Sequence, residues 1–222
     1  MIVSINGPAW FFKLDSVFQI IFALVTIAIM LFSYRAFHFT KLKKFKYFSA
    51  SFLLIALGFL TLSLSNLLIY LNIYDGIISR MGEFNLGNSF FLAYIMFTLF
   101  GYMLLIIVSM QLEHKRLVAL LFAIVMLFVI FSYQYYIKFH MISLLLLGFI
   151  GWQFYENYAK KKSVNAGLVF ASFYTLAFAE VFFISTVLMS SLYVLAHILQ
   201  LIGFGLLFTM FIRVNKHGGK KK

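Results

Sequence analysis

Residues 166–189 read AGLVFASFYTLAFAEVFFISTVLM, and the length and apolar character of this stretch indicate the fold of the whole chain. It is long enough to cross a bilayer as one α-helix, which takes about 20 apolar residues for a hydrocarbon core of about 30 Å. Glu180 lies inside it, and we expect this to be the only carboxylate that cannot reach water from a loop. Since a chargeable group at membrane depth is costly, Glu180 marks a candidate functional site.

The composition extends this interpretation to all 222 residues. The chain is 64% hydrophobic and has a mean hydropathy of +1.02, whereas soluble domains are about 45–50% apolar. We therefore predict one all-α domain, residues 1–222, that crosses the cell membrane several times. The absence of cysteine excludes disulfides and thiolate metal sites.

Apolar segments separated by polar turns define the predicted topology. We predict seven transmembrane helices, at about residues 16–34, 47–71, 89–111, 117–132, 139–155, 166–189 and 192–212, and a basic tail at 213–222. Residues 133–138 are predicted to form a short aromatic turn. Only Lys13, Arg80 and Lys138 fall on one side, so that 15 of the 18 Lys and Arg residues fall on the other. Because basic loops stay in the cytoplasm, the N-terminus is expected outside and the C-terminus inside.

Two pairs of segments resemble each other and indicate an internal repeat. Residues 50–56 (ASFLLIA) match residues 171–177 (ASFYTLA), and residues 98–105 (TLFGYMLL) match residues 200–207 (QLIGFGLL). We predict a parallel 3+1+3 repeat with units at about 16–111 and 139–212, joined by a linker helix at about 117–132. The alternative is chance similarity, since membrane helices share a small set of residues.

Several polar side chains are predicted to meet in the outer half of the bundle. The tight hairpin at 190–191 makes the last two helices antiparallel neighbours, which brings Glu180 and His197 to a similar depth. Gln200 and Tyr193 share a helix face with His197, and Gln19 falls at the same level. The candidate ligand-binding residues are Glu180, His197, Gln200, Tyr193, Asn66 and Tyr94. The alternative is a neutral Glu180 bonded to His197 or Gln200 as a plain interhelical contact.

The remaining charged and histidine residues predict lipid contact rather than chemistry. The net charge of +12 fits topology and anionic lipid at the cytoplasmic face better than nucleic acid. The candidate headgroup contacts are Lys41, Lys43, Lys44, Lys160, Lys161 and Lys162. His140 is assigned to an outer helix end, so that only His197 lies well inside a span and no haem is expected. No catalytic motif is present, and neither an enzyme, a metal nor a cofactor is predicted.

The two closing segments carry a family resemblance. LAFAEVFF, followed by LYVLAHILQLIGFGLLFTMFIRV at residues 192–214, resembles the end of small prokaryotic, often archaeal, seven-helix proteins, some of which are the membrane sensor parts of histidine kinases. The resemblance implies a sensor that signals through a partner protein. The 3+1+3 layout is also similar to the SWEET sugar transporters, whose repeats carry prolines in their helices; here the one proline, Pro8, lies outside the spans.

Three functions therefore remain open. The first is a non-enzymatic sensor or receptor that binds a small or lipidic ligand in an outward-facing polar pocket. The second is a small, proton-coupled transporter that uses Glu180. The third is a structural or assembly subunit of a membrane complex, with a membrane or cytoplasmic partner protein.

Overall fold

The computed structural model describes residues 8–75, 86–112, 114–130 and 135–218, and within these ranges the structure is helical without strands. A single 3-10 turn, Ala9–Phe11, precedes the α-helices. The described residues form α1 (Phe12–Thr40), α2 (Lys43–Asp75), α3 (Leu86–Ser109), α4 (Lys115–Ile130), α5 (Tyr135–Lys161), α6 (Val164–Ser185) and α7 (Leu192–Gly218). Arg80, the start of the predicted turn at 133–138, and the last four residues of the tail lie outside the described residues.

Six of these helices are long and apolar enough to cross a membrane, in keeping with a multi-pass membrane protein. The exception is α4, which has 16 residues and is therefore only about 24 Å long at a rise of about 1.5 Å per residue. It packs against α3. The crossing of α4, which would make seven spans, and the orientation of the chain stay predictions.

The fifth helix differs from its predicted bounds of 139–155. It begins at Tyr135, so that the last four residues of the predicted aromatic turn are already helical. The reason is packing: Tyr136 is buried and its hydroxyl donates to the carbonyl oxygen of Phe183 on α6, at 3.4 Å. At the other end, Lys160 and Lys161 belong to the last helical turn rather than to a loop, where cations interact favourably with the helix dipole.

The helices pack in sequence as two groups of three. α2 contacts both α1 and α3, and α6 contacts both α5 and α7, while α1 with α7 and α3 with α5 join the groups. Glycines permit close approach within each group. A Cβ on Gly101 would lie 2.6 Å from Ile55 and 3.0 Å from the carbonyl oxygen of Ser51, and a Cβ on Gly203 would lie 2.7 Å from Leu176.

Three phenylalanines fill the middle of the bundle. Phe22, Phe59 and Phe204, from α1, α2 and α7, are each 0–1% exposed, and their ring centroids are 5.4–5.6 Å apart. We call them the central phenylalanine cluster. The cluster separates two ends of the bundle: the basic end, which carries the lysines at positions 41–46 and 160–162, and the Asp15 end, where α1 begins.

Candidate functional site

Asp15 is the centre of a buried polar cluster at the Asp15 end. It lies in the first turn of α1 and is 0% exposed. Its Oδ1 accepts from Gln19 Nε2 at 2.8 Å, and its Oδ2 accepts from Asn66 Nδ2 at 2.8 Å and from Tyr193 OH at 2.6 Å. The carboxylate therefore ties α1 to α2 and α7, and Gln19 reaches it because residues four apart share a helix face.

His197 is the fourth group around this carboxylate. Its Nε2 lies 3.2 Å from Asp15 Oδ1, within ion-pair distance but without the alignment of a hydrogen bond. The ring is 1% exposed and is enclosed by aromatic rings, with centroid distances of 4.6 Å to Tyr193, 5.0 Å to Phe183 and 5.5 Å to Phe11. A buried imidazole beside a buried carboxylate can take up or release a proton next to that charge.

A second carboxylate–imidazole pair lies nearby on α5 and α6. His140 Nδ1 and Glu180 Oε2 are 2.5 Å apart, and the residues are 5% and 2% exposed. The His140 ring stacks on Phe183 with a centroid distance of 4.6 Å, so that Phe183 contacts both histidines. Chargeable side chains that are buried at membrane depth need a partner, and His140 and Glu180 are partners of each other.

A small cavity lies between the two pairs. Its volume is about 20 Å³, which is enough for one water molecule and for nothing larger. It is lined by Gln19, Leu62, Asn66, Phe91, Tyr94, Tyr136, His140, Phe183, Tyr193, His197 and Gln200. Both imidazoles thus line one small space, together with polar side chains from α1, α2 and α7.

The predicted site residues come together only in part. Asn66, Tyr94, Tyr193, His197 and Gln200 line this cavity. Glu180 is absent from the lining, but its hydrogen-bond partner His140 is part of it.

Two expectations about these residues were wrong. Glu180 makes its hydrogen bond to His140 rather than to His197 or Gln200. It is also not the only carboxylate withdrawn from water, since Asp15 is fully buried. A third expectation was also wrong: His140, assigned to an outer helix end, lies in the second turn of α5, which begins at Tyr135, and is buried.

The six lysines predicted to contact lipid headgroups are all exposed, and all lie at the basic end. Two of them, Lys44 and Lys160, line a second and much larger cavity of about 840 Å³. Its other walls come from the ends of α1, α3 and α7 and from Val169 of α6. Along α1 the central phenylalanine cluster (Phe22) lies between Gln19 of the small cavity and Phe32 of the large one.

Comparison of the chain with protein-family models, with curated proteins and with solved structures gave no match. The function therefore has to be inferred from the two cavities and the buried groups around them.

Proposed function

We propose that the chain is a non-enzymatic membrane sensor, in which the gain or loss of a proton at the Asp15 cluster changes the packing between two equivalent three-helix units. The observation that carries the proposal is the placement of Asp15. Its carboxylate lies on α1 and accepts a hydrogen bond from Tyr193 on α7, so that it joins the first group of three helices to the second. A change in its charge therefore acts on the interface between the groups.

The two units are equivalent because of the predicted internal repeat, and the positions of the helix ends support this repeat. Extending the match of residues 50–56 with 171–177 backwards without a gap sets Lys41 opposite Lys162. Both residues have positive φ, 56° and 46°, which is uncommon for residues other than glycine. The same register sets the end of α1 at Thr40 opposite the end of α5 at Lys161, and the start of α2 at Lys43 opposite the start of α6 at Val164.

The close contacts repeat in the same register. Gly101 of α3 packs against Ile55 and the carbonyl oxygen of Ser51, and Gly203 of α7 packs against their matched residues on α6. In the repeat α1 corresponds to α5, and α3 corresponds to α7. The rotation that superimposes one unit on the other therefore turns the contact of α1 with α7 into the contact of α5 with α3. Such reciprocal contacts are those of a two-fold interface, and they support a parallel repeat with its axis between the units.

The lining of the small cavity supports a position on this axis. In the repeat register Gln19 is opposite His140, and Leu62 is opposite Phe183; all four residues line the cavity. Ligand sites in membrane proteins built from repeats lie at the repeat interface. The Asp15 cluster thus occupies the position from which one binding event can reach both units.

The experiment follows the distance between the units. The chain has no cysteine, so Tyr34→Cys and Tyr155→Cys attach one spin label to α1 and one to α5, at matched positions that are 55% and 44% exposed. We expect Asp15→Asn, which removes the charge, to shift the distance between the labels by about 2 Å or more. The control is Glu156→Gln, which changes an exposed carboxylate. An unchanged distance in folded Asp15→Asn protein would refute the proposal.

A small carrier is the second candidate, and the asymmetry of the two cavities favours it. A space of about 840 Å³ at the basic end and a closed polar cluster at the other end are what a carrier with one open side requires. Against this, none of the helices contains a proline to act as a hinge. Experiments in proteoliposomes separate the two candidates. Proton-coupled solute uptake by wild-type protein that is lost in Glu180→Gln would identify a carrier. Absence of uptake by wild-type protein would support the sensor.

A further inference from the structure

The large cavity at the basic end is separate from the Asp15 cluster. Its size and its lining indicate the kind of ligand that would fit it. Its volume of about 840 Å³ falls in the range of about 300–1,000 Å³ that is typical of small-molecule sites. Phe32 lies eight residues before the end of α1, so that the cavity reaches about 12 Å inward along that helix. The space is therefore deep enough for a headgroup and part of a hydrocarbon chain.

The inner wall of the cavity is apolar and aromatic. Phe32 and Phe48 contribute rings that both contact Phe211, with centroid distances of 6.4 Å and 6.1 Å. Phe154 from the other unit and Met210 complete this wall. An apolar surface of this kind is suited to methylene groups.

The rim of the cavity is cationic. Lys44 of α2 and Lys160 of α5 line it, one from each group of helices, and within the described part of the chain neither makes an ion pair. The one carboxylate in the lining, Glu156, accepts a hydrogen bond from Trp152 at 2.9 Å. The rim thus has an excess of positive charge that the described residues leave uncompensated.

We propose that this cavity binds an anionic phospholipid, with one hydrocarbon chain against the aromatic wall and the phosphate bound by Lys44 and Lys160. Basic pockets between transmembrane helices recognise anionic headgroups in this way. The two lysines come from different groups of helices, so a lipid bound here bridges them at the end opposite to Asp15. The site is independent of the proposed sensor function, because it rests on the cavity alone.

The test compares two double variants of equal charge. Lys44→Gln with Lys160→Gln removes the cavity lysines, and the control, Lys46→Gln with Arg213→Gln, removes two exposed cations that neither line the cavity nor belong to the predicted headgroup contacts. Each protein is reconstituted in nanodiscs containing phosphatidylglycerol and phosphatidylcholine, released, and examined by native mass spectrometry.

We expect wild type and control to retain one phosphatidylglycerol. In the cavity variant the affinity for this lipid should fall at least about tenfold, equivalent to about 1.4 kcal/mol. Equal loss in both variants would show general surface charge and overturn the proposal, as would equal retention of phosphatidylcholine or no retained lipid in wild type. Ala36→Trp, which fills the cavity and leaves its charges in place, is expected to displace the lipid too. Retention at wild-type level in that variant would place the lipid elsewhere.

Discussion

Replacing Asp15 by alanine should be the most damaging single change of a polar residue in this chain. The substitution removes three hydrogen bonds, from Gln19, Asn66 and Tyr193, and leaves His197 beside no charge. Hydrogen bonds between membrane helices are worth about 0.6 kcal/mol on average and about 1–2 kcal/mol in model peptides. Three of them give a loss of roughly 2–6 kcal/mol, and the donors left buried without an acceptor add to the cost.

The assay is reversible unfolding in mixed micelles by increasing the fraction of sodium dodecyl sulfate, followed by circular dichroism. Glu156→Ala is the matched control, because within the described residues this exposed carboxylate accepts one hydrogen bond, from Trp152, and its loss should change the free energy of unfolding by less than about 0.5 kcal/mol. Tyr193→Phe, which removes one of the three bonds, should fall between the two. If Asp15→Ala unfolds like the control, the carboxylate is not the hub that its contacts indicate.

Two other predictions concern α6 and α7. A double-mutant cycle of Glu180→Gln and His140→Ala should show a coupling energy of about 1 kcal/mol or more in the same unfolding assay; additive effects would mean that the contact of 2.5 Å contributes nothing. Gly203→Ala should lower the free energy of unfolding by about 1–3 kcal/mol, because overpacking against a neighbouring helix forces it to move. Gly205→Ala on the same helix meets nothing within 4 Å and should be neutral; equal effects of the two glycine substitutions would contradict the close packing at Gly203.

Much of the fold could be predicted from the sequence, because apolar length alone identifies a helix that crosses a membrane. The six long helices lie where the hydropathy places them, with ends that differ by a few residues. The start of α5 was harder to predict from the sequence. The aromatic residues Tyr135 and Tyr136 occur readily in turns, and the contact of Tyr136 with α6 is what favours a helix here.

The candidate site could be predicted as a set of residues but not as a set of pairs. The depth of a polar residue along a helix follows from its position in the chain, which is why five of the six predicted residues line one cavity. Pairing depends on which helices are neighbours and how each is rotated about its axis. The contact of α1 with α7 joins residues that are far apart in the chain, so that neither the burial of Asp15 nor its approach to His197 could be predicted. The spacing of Asp15 and Gln19, four residues apart at the start of an apolar helix, was the one available signal.

The two buried carboxylates differ in what they join, and this difference gives the sharpest test of the proposed sensor. Asp15 on α1 is bonded to Tyr193 on α7 and so crosses between the two groups of helices, whereas Glu180 and His140 lie on α5 and α6 within one group. Removing either charge should reduce stability, but only Asp15→Asn should move α1 relative to α5. With spin labels at positions 34 and 155, we therefore expect Glu180→Gln to retain the wild-type distance and Asp15→Asn to change it. The same shift in both variants would mean that the distance reports loss of stability rather than the contact between the groups, and the assignment of Asp15 as the responsive residue would then fail.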